Sequence, residues 1–208
     1  MERNNIQIAL RPFFIVAIGF VASIIANYII GAWAFIPLAL VYWFSIFIIV
    51  RPTIKKIAEK FIYPSKHFRY IILALIPVSF CIISFAWGVQ YISGISLIIL
   101  WVLFAAINPI AEELFWRGYL LDNLKWKPAK KILFSTALFT LSHLMWGVFS
   151  VTIRSYIMII PLLIMGITWG YAYHKTKSLK WCIIAHFFVD IMNLSVWVFL
   201  NIYIPPVI

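Results

Sequence analysis

The sequence predicts an all-α protein, a polytopic membrane helical bundle of about seven transmembrane helices (six to eight). Three observations predict it. Of 208 residues, 65% are hydrophobic and only 11% charged, with a mean hydropathy of +1.03, whereas a soluble domain carries roughly 25% charged residues. The apolar residues form runs long enough to cross a bilayer, which takes about 20 helical residues. The Lys and Arg residues sit in short gaps between those runs, and mostly in every second gap.

Residues 12–50 carry no charge, which leaves room for two spans with a turn near Gly31. The third span is expected over 70–88, the fourth over 93–121, the fifth over 132–149, the sixth over 155–173 and the seventh over 181–200. The run after Arg11 and Pro12 is too long for the apolar part of a signal peptide and reads as a retained first span. No internal repeat or linker divides the chain, so 1–208 is read as one membrane domain. Residues 1–89 supply N-terminal spans and a basic loop at 51–69.

Arg3 and Arg11 precede the first span. Arg51, Lys55, Lys56, Lys60, Lys66 and Arg69 fill the gap after the second. Lys125, Lys127, Lys130 and Lys131 follow the fourth, and Lys175, Lys177 and Lys180 follow the sixth. With seven spans all of these lie on one side, and the opposite gaps hold only Arg154. The positive-inside rule then places the N-terminus in the cytosol and the C-terminus outside a multi-pass protein of the cell membrane. The same rule explains the net charge of +11, so no nucleic-acid partner is expected. The basic loop, which includes His67, fits either a segment lying on anionic lipid or a plain cytosolic loop. Trp33, Trp43, Tyr70 and Trp126 lie near span ends and read as interfacial anchors. Gly166 and Gly170 are spaced for close helix packing. Cys81 and Cys182 lie in apolar runs and read as buried small hydrophobes.

Against this background the stretch INPIAEELFWRGYL, 107–120, stands out. The chain has six acidic residues, and three of them, Glu112, Glu113 and Asp190, fall inside expected spans. So do His143 and His186, two of the four histidines. The worst ionisable types cost roughly 2.5–3.5 kcal/mol each at the centre of a span. Glu113 and Arg117 are four apart and share a helix face, as are His186 and Asp190, and Phe139 and His143. Glu112 points about 100° away from Glu113. Pro109 cannot donate to the carbonyl of Ala105, so a bend is expected just before the carboxylates. From the nearest lysines Glu112 lies roughly 20 Å deep, His143 roughly 18 Å, and His186 and Asp190 roughly 9 to 15 Å, at helical rise. Taken singly, Glu113 with Arg117 is a structural ion pair, His143 a packing residue and Asp190 a hydrogen-bond acceptor. Their common depth on three helices points to one buried polar site, open more readily to the cytosol.

These residues resemble a family. EExxxR is Glu112, Glu113 and Arg117; FxxxH is Phe139 and His143; HxxxD is His186 and Asp190. Their order on membrane spans is similar to the CPBP intramembrane proteases, which include the CAAX-processing endoprotease of eukaryotes and the bacteriocin-processing or Abi proteins of bacteria. The resemblance covers about 90–200, a protease-like core. It implies a helical bundle around a conical, water-filled cavity and an endopeptidase activity. It also implies roles: Glu112 with His143 activates water, His186 with Asp190 stabilises the oxyanion, and Glu113, Arg117 and Phe139 support them.

Peptide hydrolysis needs a general base, a water and oxyanion donors, and a buried carboxylate and imidazole meet that need. Ser142 points to another face than His143, and Cys182 is the one thiol worth testing. No cofactor is favoured, but Glu112, His143, His186 and Asp190 also make a plausible zinc set. Asp190 sharpens that question, because Asp donates to an oxyanion only when protonated. Two other classes stay open: a proton-coupled transporter, since buried Glu, His and Asp also make proton relays, and a non-catalytic scaffold or immunity protein on the same fold. The expected partners are the bilayer and a peptide or protein at the membrane; the sequence leaves oligomeric state and substrate open.

Overall fold

Continuous apolar runs give the backbone no partner but itself in lipid, so helices dominate. The computed structural model describes residues 2–63, 67–91 and 95–194, and these are almost entirely helical and contain no strand. Helix α1, Glu2–Ile30, passes through a tight turn at Gly31–Ala34 into α2, Phe35–Val50. Gly31 has φ +60, a left-handed conformation that glycine adopts without strain. The two helices pack against each other, so the chain reverses at the expected turn.

A short 3₁₀ turn, Arg51–Thr53, leads to α3, Ile54–Ala58. Then come α4, Phe68–Gly88, and α5, Ile95–Glu113. Helix α5 runs through Pro109 without ending and continues as a π-helical segment, Leu114–Leu120, and a last turn, α6, Leu121–Asn123. Helix α7, Pro128–His143, starts on a proline, which lacks the N–H that a first turn leaves unpaired. Helix α8, Tyr156–Thr176, stops at Lys177, whose φ of 57 is left-handed and whose N–H bonds Tyr173 O at 2.7 Å. Helix α9, Lys180–Val189, continues as a second π-helical segment, Asp190–Leu194. The expected seventh span extends over 195–200, and the expected fourth starts at 93; both of those parts lie outside the described residues.

Among the described residues, five helical runs are long and apolar enough to cross a membrane: Asn5–Phe61, Phe68–Gly88, Ile98–Asn123, Pro128–Val148 and Tyr156–Thr176. The first of them contains both α1 and α2. Large apolar side chains such as Phe14, Ile25, Phe44, Ile83 and Ile157 face outward, a surface that lipid covers and water does not. This is a membrane protein.

Packing brings the polar side chains together. Helix α7 lies close on α8 because Gly166 and Gly170 have no side chain: a Cβ on Gly166 would sit 2.6 Å from Thr136 Cγ2, and one on Gly170 3.1 Å from Ile132 Cγ2. Trp169 Nε1 donates to Ala74 O at 2.9 Å and ties α8 to α4. Helices α4 and α5 pack on α9, and α2 packs on α5. Both cysteines are buried free thiols, as expected.

Candidate active site

The acidic, imidazole and guanidinium side chains singled out by spacing meet in one place. Glu112, Glu113, Arg117, His143, His186 and Asp190 are each at most 3% exposed. His186 is the hub. Its Nδ1 lies 3.0 Å from Glu113 Oε1, and as that oxygen only accepts, Nδ1–H donates. Its Nε2 lies 3.3 Å from Glu112 Oε2 and 3.4 Å from Asp190 Oδ1. Neighbouring carboxylates that point about 100° apart on a helix therefore reach opposite edges of one ring. Trp169 stacks on that ring, with centroids 4.7 Å apart, and fixes its plane.

Arg117 Nη1 donates to Glu113 Oε1 at 2.8 Å, the expected pair one turn apart. Its guanidinium also sits over the rings of Phe139, 4.6 Å from the centroid, and Trp169, 5.3 Å. Those aromatic faces stabilise a cation in an apolar setting. The π-helical segment starts directly after Glu113, and the second one starts at Asp190. Each widened turn lies where the backbone carries a site carboxylate, a common place for π-helical turns.

His143 is placed differently. Its Nδ1 donates to Phe139 O at 2.8 Å, inside its own helix, which leaves Nε2 as the acceptor nitrogen. The Phe139 ring packs edge-on against it, 4.6 Å between centroids. A cavity of about 10 Å³ is lined by His143, His186 and Asp190 together with Phe139, Met158 and Asn193. That is room for about one water. Beside it a groove of about 600 Å³ opens between α4 and α8, and Met158, Met165 and Asn193 line both spaces.

Four further side chains belong to the cluster. The Tyr42 hydroxyl of α2 donates to Glu112 Oε1 at 2.6 Å and accepts from Trp116 Nε1 at 3.1 Å. Asn108 Nδ2 donates to Asp190 Oδ2 at 2.9 Å, and Asn108 Oδ1 accepts from Trp43 Nε1 at 3.0 Å. Asn108 lies one helical turn before Glu112, a polar side chain in an apolar run, and that signal was available. Tyr42 has no local signal, being 70 residues from Glu112. Trp43 is corrected: it was expected to anchor at the interface, but its indole N–H reaches into the bundle. After these bonds Oε2 of Glu112 and Oε2 of Glu113 remain without a hydrogen-bond partner among the described residues.

Residues 94–192 match the family model described as type II CAAX prenyl endopeptidase Rce1-like. No curated protein and no solved structure gave a significant match. The matched segment holds all three motifs and every acidic, imidazole and guanidinium side chain of the cluster. Over 94–192 the chain is thus similar to the Rce1-like family of type II CAAX prenyl endopeptidases.

Proposed function

We propose that this protein is an intramembrane endopeptidase that hydrolyses a peptide bond near the membrane with a water activated by Glu112 and His143. The observation that carries the reading is the buried Oε2 of Glu112. Among the described residues it has no hydrogen-bond partner, and it lies 3.3 Å from His186 Nε2 within the family-matched segment. A buried carboxylate oxygen that faces an imidazole without a hydrogen bond of its own is costly and is available to take a proton.

In the proposed reaction a water lies between Glu112 Oε2 and His143 Nε2. Glu112 accepts its proton as the oxygen attacks the scissile carbonyl. His186 Nε2–H donates to the oxyanion that forms. Asp190 accepts from Asn108 on one oxygen and faces His186 with the other, a geometry suited to orienting the imidazole rather than donating to substrate. Collapse of the tetrahedral adduct breaks the C–N bond, and the proton held by Glu112 passes to the leaving amine. Glu113 and Arg117 hold His186 from its other edge.

The reading is metal-free: with Nδ1–H donating to Glu113 and Nε2–H aimed between Glu112 Oε2 and Asp190 Oδ1, the His186 ring offers no lone pair to a metal. The reading also includes seven spans with the N-terminus in the cytosol, one domain over 1–208 and a polar cavity open to the cytosolic side.

The test compares peptide fragments from membranes carrying wild-type protein or Glu112→Gln, with a farnesylated fluorogenic CAAX peptide as a direct probe chosen from the family description. Glu112→Gln is expected to lower turnover about 10²–10⁴-fold, the span of general acid–base catalysis. His143→Ala falls in the same range. Fragment patterns identical in wild type and Glu112→Gln, with no cleavage of the probe, overturn the reading. Activity that survives complete metal removal by a chelator supports the metal-free form; activity lost with metal and restored by zinc overturns it.

A further inference from the structure

Two adjacent residues of α2, outside the family-matched segment, reach the carboxylates that face His186 Nε2: Tyr42 bonds Glu112 directly, and Trp43 connects to Asp190 through Asn108. Tyr42 is fully buried. Its hydroxyl has one proton, and its neighbours decide where that proton goes. An indole N–H only donates, so the contact from Trp116 Nε1 at 3.1 Å occupies a lone pair of the hydroxyl. The proton is thereby directed to Glu112 Oε1 at 2.6 Å. Oε1 is pinned, and Oε2 is the oxygen turned to His186, with no hydrogen-bond partner among the described residues.

Trp43 acts in the same way at one remove. Its donor-only indole requires that the oxygen of Asn108 face it, at 3.0 Å. The amide nitrogen of Asn108 must then point the other way, where it donates to Asp190 Oδ2 at 2.9 Å. Asp190 is left with Oδ1 facing His186 Nε2 at 3.4 Å. Both carboxylates thus have one oxygen tied by a chain of hydrogen bonds that starts on α2, and the other turned to the same ring nitrogen.

We infer that α2 belongs to the catalytic apparatus: Tyr42 is a positioning residue that selects Oε2 of Glu112 as the base, and Trp43 positions Asp190 through Asn108. The inference rests on the reading of Glu112 as the base. It concerns the orientation of that group, so it acts on turnover rather than on substrate capture.

Tyr42→Phe removes the hydroxyl and keeps the ring. With the peptide whose cleavage Glu112→Gln abolishes, kcat is expected to fall about tenfold with KM unchanged, the scale of a misplaced catalytic group. Trp43→Phe is expected to lower kcat about threefold, as it acts through a second residue. A structure-independent check uses infrared spectra of protein labelled with ¹³C-glutamate. The chain has four glutamates, Glu2, Glu59, Glu112 and Glu113, and the Glu112 band is assigned by subtraction of Glu112→Gln. Tyr42→Phe is expected to shift that band alone. Wild-type kcat in Tyr42→Phe overturns the inference, as does an unshifted Glu112 band; in both cases an inactive Glu112→Gln leaves the proposed function standing. A fully active Glu112→Gln removes that reading itself.

Discussion

The two halves of this protein meet at one site but carry unlike residues to it. Residues 94–192 contribute carboxylates, imidazoles and a guanidinium, and they match a family of endopeptidases. The N-terminal helices contribute an uncharged phenol and an indole from α2. A charged group in a membrane span has to find partners, because leaving it unpaired costs several kcal/mol. The partners need not carry charge or lie in the same half. In the reaction proposed, the conspicuous residues do the chemistry, while inconspicuous ones decide which of their atoms are turned to it.

The comparison breaks most visibly at Arg117. Its guanidinium is 1% exposed and pairs with Glu113, which is fully buried. Arg117→Met keeps much of the volume over Phe139 and Trp169 and removes the charge. Breaking a buried pair on one side leaves the other charge uncompensated and costs on the order of 3–5 kcal/mol. A large drop in Tm in detergent is the expected result, well beyond that of Tyr42→Phe, which forfeits on the order of 1.5–3 kcal/mol for a hydrogen bond to a charged group. Equal Tm values for the two variants would mean that the halves contribute alike, and that the contrast drawn above is wrong.

The ease of reading differed for the same physical reason. Glu112, Glu113, Arg117, His143, His186 and Asp190 could be found because ionisable groups are rare in runs meant for lipid. The span limits of α4, α7 and α8 followed from apolar length, and Gly166 and Gly170 announced a close helix crossing. Asn108 was visible one turn before Glu112 but carries no charge to draw notice. Trp43 looked like an interfacial aromatic, since Trp at a span end usually is, and Tyr42 beside it gave no signal of its own; only the packing of α2 on α5 turns them inward. The π-helical turns after Glu113 and at Asp190 had no signal in residue type. Each sits beside a carboxylate that contacts His186.

A smaller effect tests whether α3 is seated on the C-terminal half by shape. Gly118, on the first π-helical segment, has no room for a side chain: an added Cβ would collide with Ile57 Cγ2 of α3 and lie 3.3 Å from Leu179 Cδ1. Gly118→Ala is expected to cost about 1–3 kcal/mol through overpacking. Ile57→Ala opens that space, so the double variant should lose less than the sum of the two single ones, with an interaction energy of about 1 kcal/mol. Additive losses in a thermal-unfolding cycle would show that this contact does not join the halves.

The smallest effect is expected at the basic end of the bundle, where the halves meet through charge. Asp122, just past the π-helical segment, is paired with Lys60 from the N-terminal half, and with Lys177 at 3.1 Å; it also accepts from the Tyr173 hydroxyl at 2.7 Å. These side chains are 14%, 22% and 49% exposed for Lys60, Asp122 and Lys177, so water and salt screen them far more than the cluster around His186. Exposed pairs contribute about 0–1 kcal/mol. Asp122→Asn keeps an acceptor for Tyr173 and loses only the charge, so at about 0.15 M salt its cost should stay below about 1 kcal/mol. Lowering ionic strength to about 0.01 M lengthens the screening distance from about 8 to about 30 Å. The unneutralised lysines then repel over the whole cluster, and the Tm gap between variant and wild type should widen. A gap that ignores salt, or one larger than that of Tyr42→Phe, would mean that charge at this end, rather than the buried hydrogen bonds of α2, holds the N-terminal half in place.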